Sequence, residues 1–213
     1  MLNWWFHTDA GLAARVGVGG AIFLLLALID LARRGRQATR WREYLLLLAA
    51  VVAALGYGVI NDQITSRISW EYFYYGKELA TSLGPATPPD PRKLHWAAAL
   101  VGMKATWSAG LIFGAMLLLA NNPRRGRIRL RNRELLAWLP RILLSAVVCA
   151  VLFGVVGYLG GLTSLNEDFP VFLHDNLWRP RRFMCVYGVH LGGYIGGFGG
   201  AVWAAVAVWR AGF

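Results

Sequence analysis

Charge is scarce in this sequence, and acid scarcer still. Of 213 residues 15% are charged, with 11 Asp or Glu against 22 Lys or Arg, while 57% are hydrophobic. A soluble globular domain is excluded by that balance, and a membrane protein is the expected class. Cysteine is limited to Cys149, inside the fourth apolar segment, and Cys185, at the mouth of the fifth. Helix rise separates those places too far for a disulfide. Neither GxSxG nor GxxxxGK[ST] occurs, CxxCH is absent, and the glycine clusters lie inside an apolar run rather than after a strand. Serine-nucleophile, P-loop, dinucleotide and covalent-haem chemistries drop out on those grounds.

What is present is a series of five apolar segments, 14–32, 44–60, 95–120, 142–162 and 186–209. Each approaches the ~20 residues that a helix needs to cross the hydrocarbon. The expected fold is an all-α membrane protein of five transmembrane helices in a bundle, one integral domain over 1–213. Basic residues concentrate in two blocks, five in 33–42 and seven in 124–141, with Arg210 after the last segment. Opposite them stand Arg15, Arg67, Lys77, Arg92, Lys93, Arg179, Arg181 and Arg182, offset by eight acids. Basic blocks are held on the cytoplasmic side, so the amino terminus is expected outside and the carboxyl terminus inside; the expected location is a bacterial inner membrane, with an organelle's membrane as the alternative. The first segment has its arginines after it, the reverse of a signal peptide, and should stay in the mature protein. The expected partners are the bilayer and anionic headgroups on the cytoplasmic face, with a homo-oligomer or larger membrane complex as a further option. No aromatic-studded basic groove points to nucleic acid.

Two connections, 61–94 and 163–185, are then external. In "ITSRISWEY" apolar and polar residues alternate as in a strand, while Gln63, Arg67 and Glu71 also fall at the i, i+4 spacing of a helix. Both readings stay open. Pro85, Pro88, Pro89 and Pro91 favour an extended arm before the third segment. In the last segment Gly192, Gly196 and Gly200 make one small-residue row and Gly193, Gly197 and Ala201 a second, which places that helix centrally. Gly154, Gly157, Gly160 and Gly161 on the fourth and Gly110 with Gly114 on the third offer matching surfaces.

Asp62 falls at the outer end of the second segment, His95 at the outer end of the third, and His190 about one turn inside the fifth, with Tyr194 at i+4. Glu71, His174 and Asp175 lie in the connections above them. Such nitrogen and oxygen ligands suit a divalent metal, and the same groups relay protons. The metal set is then Asp62, Glu71, His95 and His190, although no HxxxH or HExxH pair fixes two ligands on one helix face. Asp62 and Glu71, nine residues apart, meet only if the chain folds back. Lys104, nine residues into the third segment with Trp107 beyond it, needs a partner or a wet cavity at that depth.

"NDQITSRISWEYF", "HWAAALVGMKATWSAG" and "HLGGYIGGFGG" resemble a family of small uncharacterised bacterial integral membrane proteins with a (H/N)DQ(I/V)T…EYF motif. The resemblance runs from the second segment to the end, about three quarters of the chain. It makes Asp62, Gln63, Glu71, Tyr72, Phe73, Trp107, His190 and Tyr194 the matching positions and supplies no substrate. Asn61 stands where many members of that family carry His, which weakens a metal site that needs that ligand. The leading functional expectation is binding or translocation of a cation, proton or small polar ligand at an extracytoplasmic Asp/Glu/His site, with Asp62, Gln63, Glu71, Tyr72, Lys104, Trp107 and Tyr194 around the ligand. A metal-dependent enzyme of the membrane interface and a structural subunit of a membrane complex are the alternatives.

Overall fold

The computed structural model describes residues 9–38, 40–122, 129–162 and 177–211. Five long helices make up most of it: α1 Asp9–Arg34, α2 Arg40–Ile68, α3 Pro91–Ala120, α4 Leu139–Tyr158 and α5 Pro180–Ala211. All five carry stretches long and apolar enough to cross a membrane. Short helices Ala80–Leu83 and Asn132–Leu136 interrupt the connections, and no strand occurs among the described residues.

The helix ends depart from the apolar segments in ways that relocate the candidate residues. Helix α2 runs on through the polar stretch to Ile68 instead of stopping at 60, which closes the strand reading. There Thr65 donates to the Asn61 carbonyl at 2.9 Å and Ser66 to that of Gln63 at 3.2 Å, so the hydroxyls bond back onto the helix. Near a membrane a helix satisfies its backbone internally, whereas a lone strand leaves two open edges. Helix α3 begins four residues before the expected 95, where Asp90 accepts from the Arg92 amide at 2.8 Å and Pro91 takes a first-turn place that needs no N–H. Helix α5 begins at Pro180, so His190 lies about 15 Å into it by helix rise, nearly three turns and not one. Asp62 is likewise inside α2, about 9 Å before its end.

Lipid tails give apolar helices no reason to leave them, so close packing must hold the helices together. The glycines supply it in two seams, α2 against α3 and α4 against α5, the most extensive pairings in the fold. A Cβ on Gly58 would strike the carbonyl of Gly102, and one on Gly102 that of Gly58. On α5 the row Gly188, Gly192, Gly196 and Gly200 lies against α4, where a Cβ would meet the carbonyls of Phe153, Cys149 and Ser145 at the first three. The second row turns the other way, Gly193 toward Tyr57 of α2 and Gly197 toward Phe113 of α3. Helix α5 therefore joins the two pairs, as its two rows suggest. Helix α1 buries little; Asp30, which accepts from the Arg40 amide at 2.9 Å and pairs with Arg34, secures its turn into α2.

These seams carry a direct prediction. Gly192→Ala forces α4 away from α5 and should destabilise the protein by about 1–3 kcal/mol, the usual range for overpacking. Gly199, also on α5, has nothing within 4 Å of its would-be Cβ. Thermal melting in detergent should therefore fall for Gly192→Ala and hold for Gly199→Ala; equal melting of both would remove the seam.

Candidate functional site

After Ile68 the chain turns back over the helix ends. A single wide turn over Tyr72–Gly76, in which the Lys77 amide reaches the Tyr72 carbonyl at 3.0 Å, drives Tyr72 and Phe73 into an apolar cluster with Leu94, Phe183 and Val186. This fold-back sets the Tyr72 ring flat on His190 of α5, with centroids 4.8 Å apart and planes 15° from parallel. Phe73 meets the same imidazole edge-on at 6.2 Å, and Tyr194, one turn further along α5, lies 6.5 Å away.

Across from His190 stands Asp62. The two side chains are 7% and 2% exposed, so both are sealed inside the protein. Asp62 Oδ1 accepts from Asn61 Nδ2 at 3.1 Å and lies 3.6 Å from His190 Nε2, longer than a hydrogen bond. Asp62 Oδ2 and His190 Nε2 have no hydrogen-bond partner among the described residues, and neither has the buried hydroxyl of Tyr57. Tyr57 belongs to α2 and projects to Gly193, one turn from His190, where a Cβ would sit 2.5 Å from its oxygen. Buried polar groups are nearly always paired, and each one left over requires an explanation. Here the three such side-chain atoms found among the described residues belong to the same meeting place of α2 and α5.

Lys77 completes the surroundings, with Nζ 5.5 Å from the centre of the Tyr72 ring. Burial pushes its ammonium below the ordinary lysine range, and the negative charge of Asp62 opposes that shift. Burial also raises the Tyr72 hydroxyl, with smaller contributions from Tyr194, Asp62 and Tyr187. For a base whose folded pKa is depressed, the unfolded chain holds more protons between the folded value and 10.5, so stability rises with pH through that window. Thermal stability should therefore climb from neutral pH toward pH 10, where unfolded tyrosine starts to ionise. Lys77→Met should melt higher at neutral pH and lose that slope; an unchanged slope would exclude Lys77 as its source.

The remaining expected site residues are placed elsewhere. Glu71, 2% exposed, points away from Asp62 to the start of α5, accepting from the Trp178 amide at 2.5 Å and the Arg179 amide at 3.3 Å. Gln63 donates to the His95 carbonyl at 2.6 Å and ties α2 to α3. The His95 side chain lines a separate recess with Glu71 and Arg67. Lys104 is half-buried on α3, and Trp107 lies under the guanidinium of Arg15 at 5.7 Å. Asp62, Tyr72, His190 and Tyr194 are thus brought together, whereas Gln63, Glu71 and His95 form a second locality. Among the described residues no three His, Cys, Asp or Glu side chains are grouped so as to hold a metal ion, and the four-ligand set is not assembled. His174 and Asp175 lie outside the described residues.

Sequence reasoning passed over Tyr57 and counted Lys77 only as an external charge. Tyr57 lies five residues before Asp62 on α2, a spacing that alone does not single it out. Tyr57 also borders two grooves between helices, one of 310 Å³ toward Thr106 and Tyr194, the other of 720 Å³ between α2 and α4. Comparison with known family models, curated proteins and solved structures gives no match.

Proposed function

We propose that this is a multi-pass membrane protein that takes up and passes on a proton at the buried Asp62–His190 pair. The observation that carries the reading is that Asp62 Oδ2, His190 Nε2 and Tyr57 Oη, all buried where α2 meets α5, have no hydrogen-bond partner among the described residues. A carboxylate and an imidazole 3.6 Å apart exchange a proton through one water or directly after a small movement. The buried hydroxyl of Tyr57 is a further donor or acceptor at the same meeting of α2 and α5, and the stacked Tyr72 fixes the plane of the imidazole. The charge of Lys77 near the site repels a divalent ion more strongly than a single proton, which favours a proton over such a metal ion. The basic blocks support a cytoplasmic placement of the opposite end, so protons would enter from outside, past the fold-back segment.

The test is reconstitution of the full chain in liposomes containing a pH-sensitive dye, with an imposed potential. Proton entry should exceed that of protein-free liposomes, and dicyclohexylcarbodiimide, which attacks protonated carboxyls in apolar surroundings, should block it while adding to the tryptic peptide that contains Asp62. Entry equal to that of protein-free liposomes, with Asp62 unmodified, would overturn the reading.

A further inference from the structure

The second locality has a chemistry of its own. Where α2 ends, α3 begins and α5 begins, a recess of 340 Å³ is lined by Arg67, Arg179, Arg182, His95 and Glu71. Three arginines and one acid share that lining, and the carboxylate of Glu71 is already bound to the amides of Trp178 and Arg179. No ion pair with a carboxylate engages the three arginines among the described residues. Guanidinium forks match the several oxygens of a phosphate, and their combined charge calls for an anion.

A long apolar groove adjoins this recess. The 720 Å³ groove between α2 and α4 is walled by Ile60, Ile64, Val147, Val151 and Val155, and Ile68 borders both the groove and the recess. From Ala53 to Ile68 it runs about 22 Å by helix rise. That exceeds the ~15 Å depth of one leaflet of a 30 Å hydrocarbon core. A basic pocket that shares Ile68 with an apolar channel of that length has the form of an amphiphile with an anionic head. We infer that the chain holds an anionic phospholipid, its phosphate on Arg67, Arg179 and Arg182 and one hydrocarbon chain along the α2/α4 groove. Neither Asp62 nor His190 lines the recess or the groove, and the proton site borders the groove at Tyr57, so either assignment can fail alone.

Native mass spectrometry of the full chain, extracted mildly from bilayers of phosphatidylcholine with a minor share of phosphatidylglycerol, tests the assignment. Phosphatidylglycerol should be retained in preference. Arg179→Gln with Arg182→Gln should lower its retention roughly tenfold, the ratio that 1.4 kcal/mol corresponds to. Val151→Trp, at a groove position already 59% exposed, should lower it too without touching the arginines. Equal retention of the two lipids, or full retention by the double arginine variant, would overturn the headgroup site, and full retention by Val151→Trp would overturn the chain's place. Displacement of the lipid by millimolar inorganic phosphate would show a site for the free anion and overturn the lipid assignment.

Discussion

Asp62→Asn is expected to reduce proton entry into liposomes by roughly 10²-fold or more, the scale of losing a positioned acid–base group. The substitution keeps side-chain volume and leaves an amide oxygen for Asn61 Nδ2, which donates to Asp62 Oδ1 at 3.1 Å. Helix α2 and its seam with α3 do not depend on the charge, so thermal melting should not fall. His190→Gln should produce a loss of similar size, because an amide under the Tyr72 ring donates and accepts but does not titrate. The two groups act on one proton, and removing both should be little worse than removing either. A double variant whose loss is the product of the two single losses would show that Asp62 and His190 act separately, and the pair would have to be abandoned as a unit. Entry unchanged in Asp62→Asn would remove the carboxylate from the path altogether.

The five helices were legible because a run of some twenty apolar residues has few other uses, and glycine rows at i, i+4 announce the faces that approach closely. Helix ends were less legible. The residues from Asn61 to Ile68 are polar enough to read as a connection, yet the helix continues through them for two further turns, with the Thr65 and Ser66 hydroxyls satisfied on its own carbonyls. That extension moved Asp62 from a helix end to a buried interior position, where it faces His190. The pairing was foreshadowed by the two ionisable groups in apolar helices, but its depth was not. Tyr57 gave no signal, since a tyrosine in an apolar helix is ordinary until the atoms around its hydroxyl are known. Glu71 was grouped with Asp62 on chemistry alone. Its partners are 107 and 108 residues away in the chain, and nothing local marks a carboxylate as the cap of a distant helix.

That cap is where the largest loss of stability is expected. Glu71→Ala would strip the amides of Trp178 and Arg179, the two residues leading into α5, of their acceptor and remove a negative charge from the positive end of a 32-residue helix. Together two part-buried donors left without their acceptor and the lost helix-end charge are worth roughly 2–4 kcal/mol. Melting in detergent should drop accordingly, with faster hydrogen exchange at the start of α5, where Phe183 packs on Tyr72 at 5.4 Å. Glu71→Gln retains an oxygen acceptor and should recover most of the stability while losing the charge term. The same pair of variants separates an anchoring role from a place in the proton path. Tyr72 follows Glu71 directly and stacks on His190, so a loosened α5 start in Glu71→Ala should impair proton entry as well. Entry close to wild type in Glu71→Gln would mark Glu71 as an anchor. If instead Glu71→Gln melts normally but no longer conducts, the carboxylate is part of the path and the division of the molecule into two sites fails.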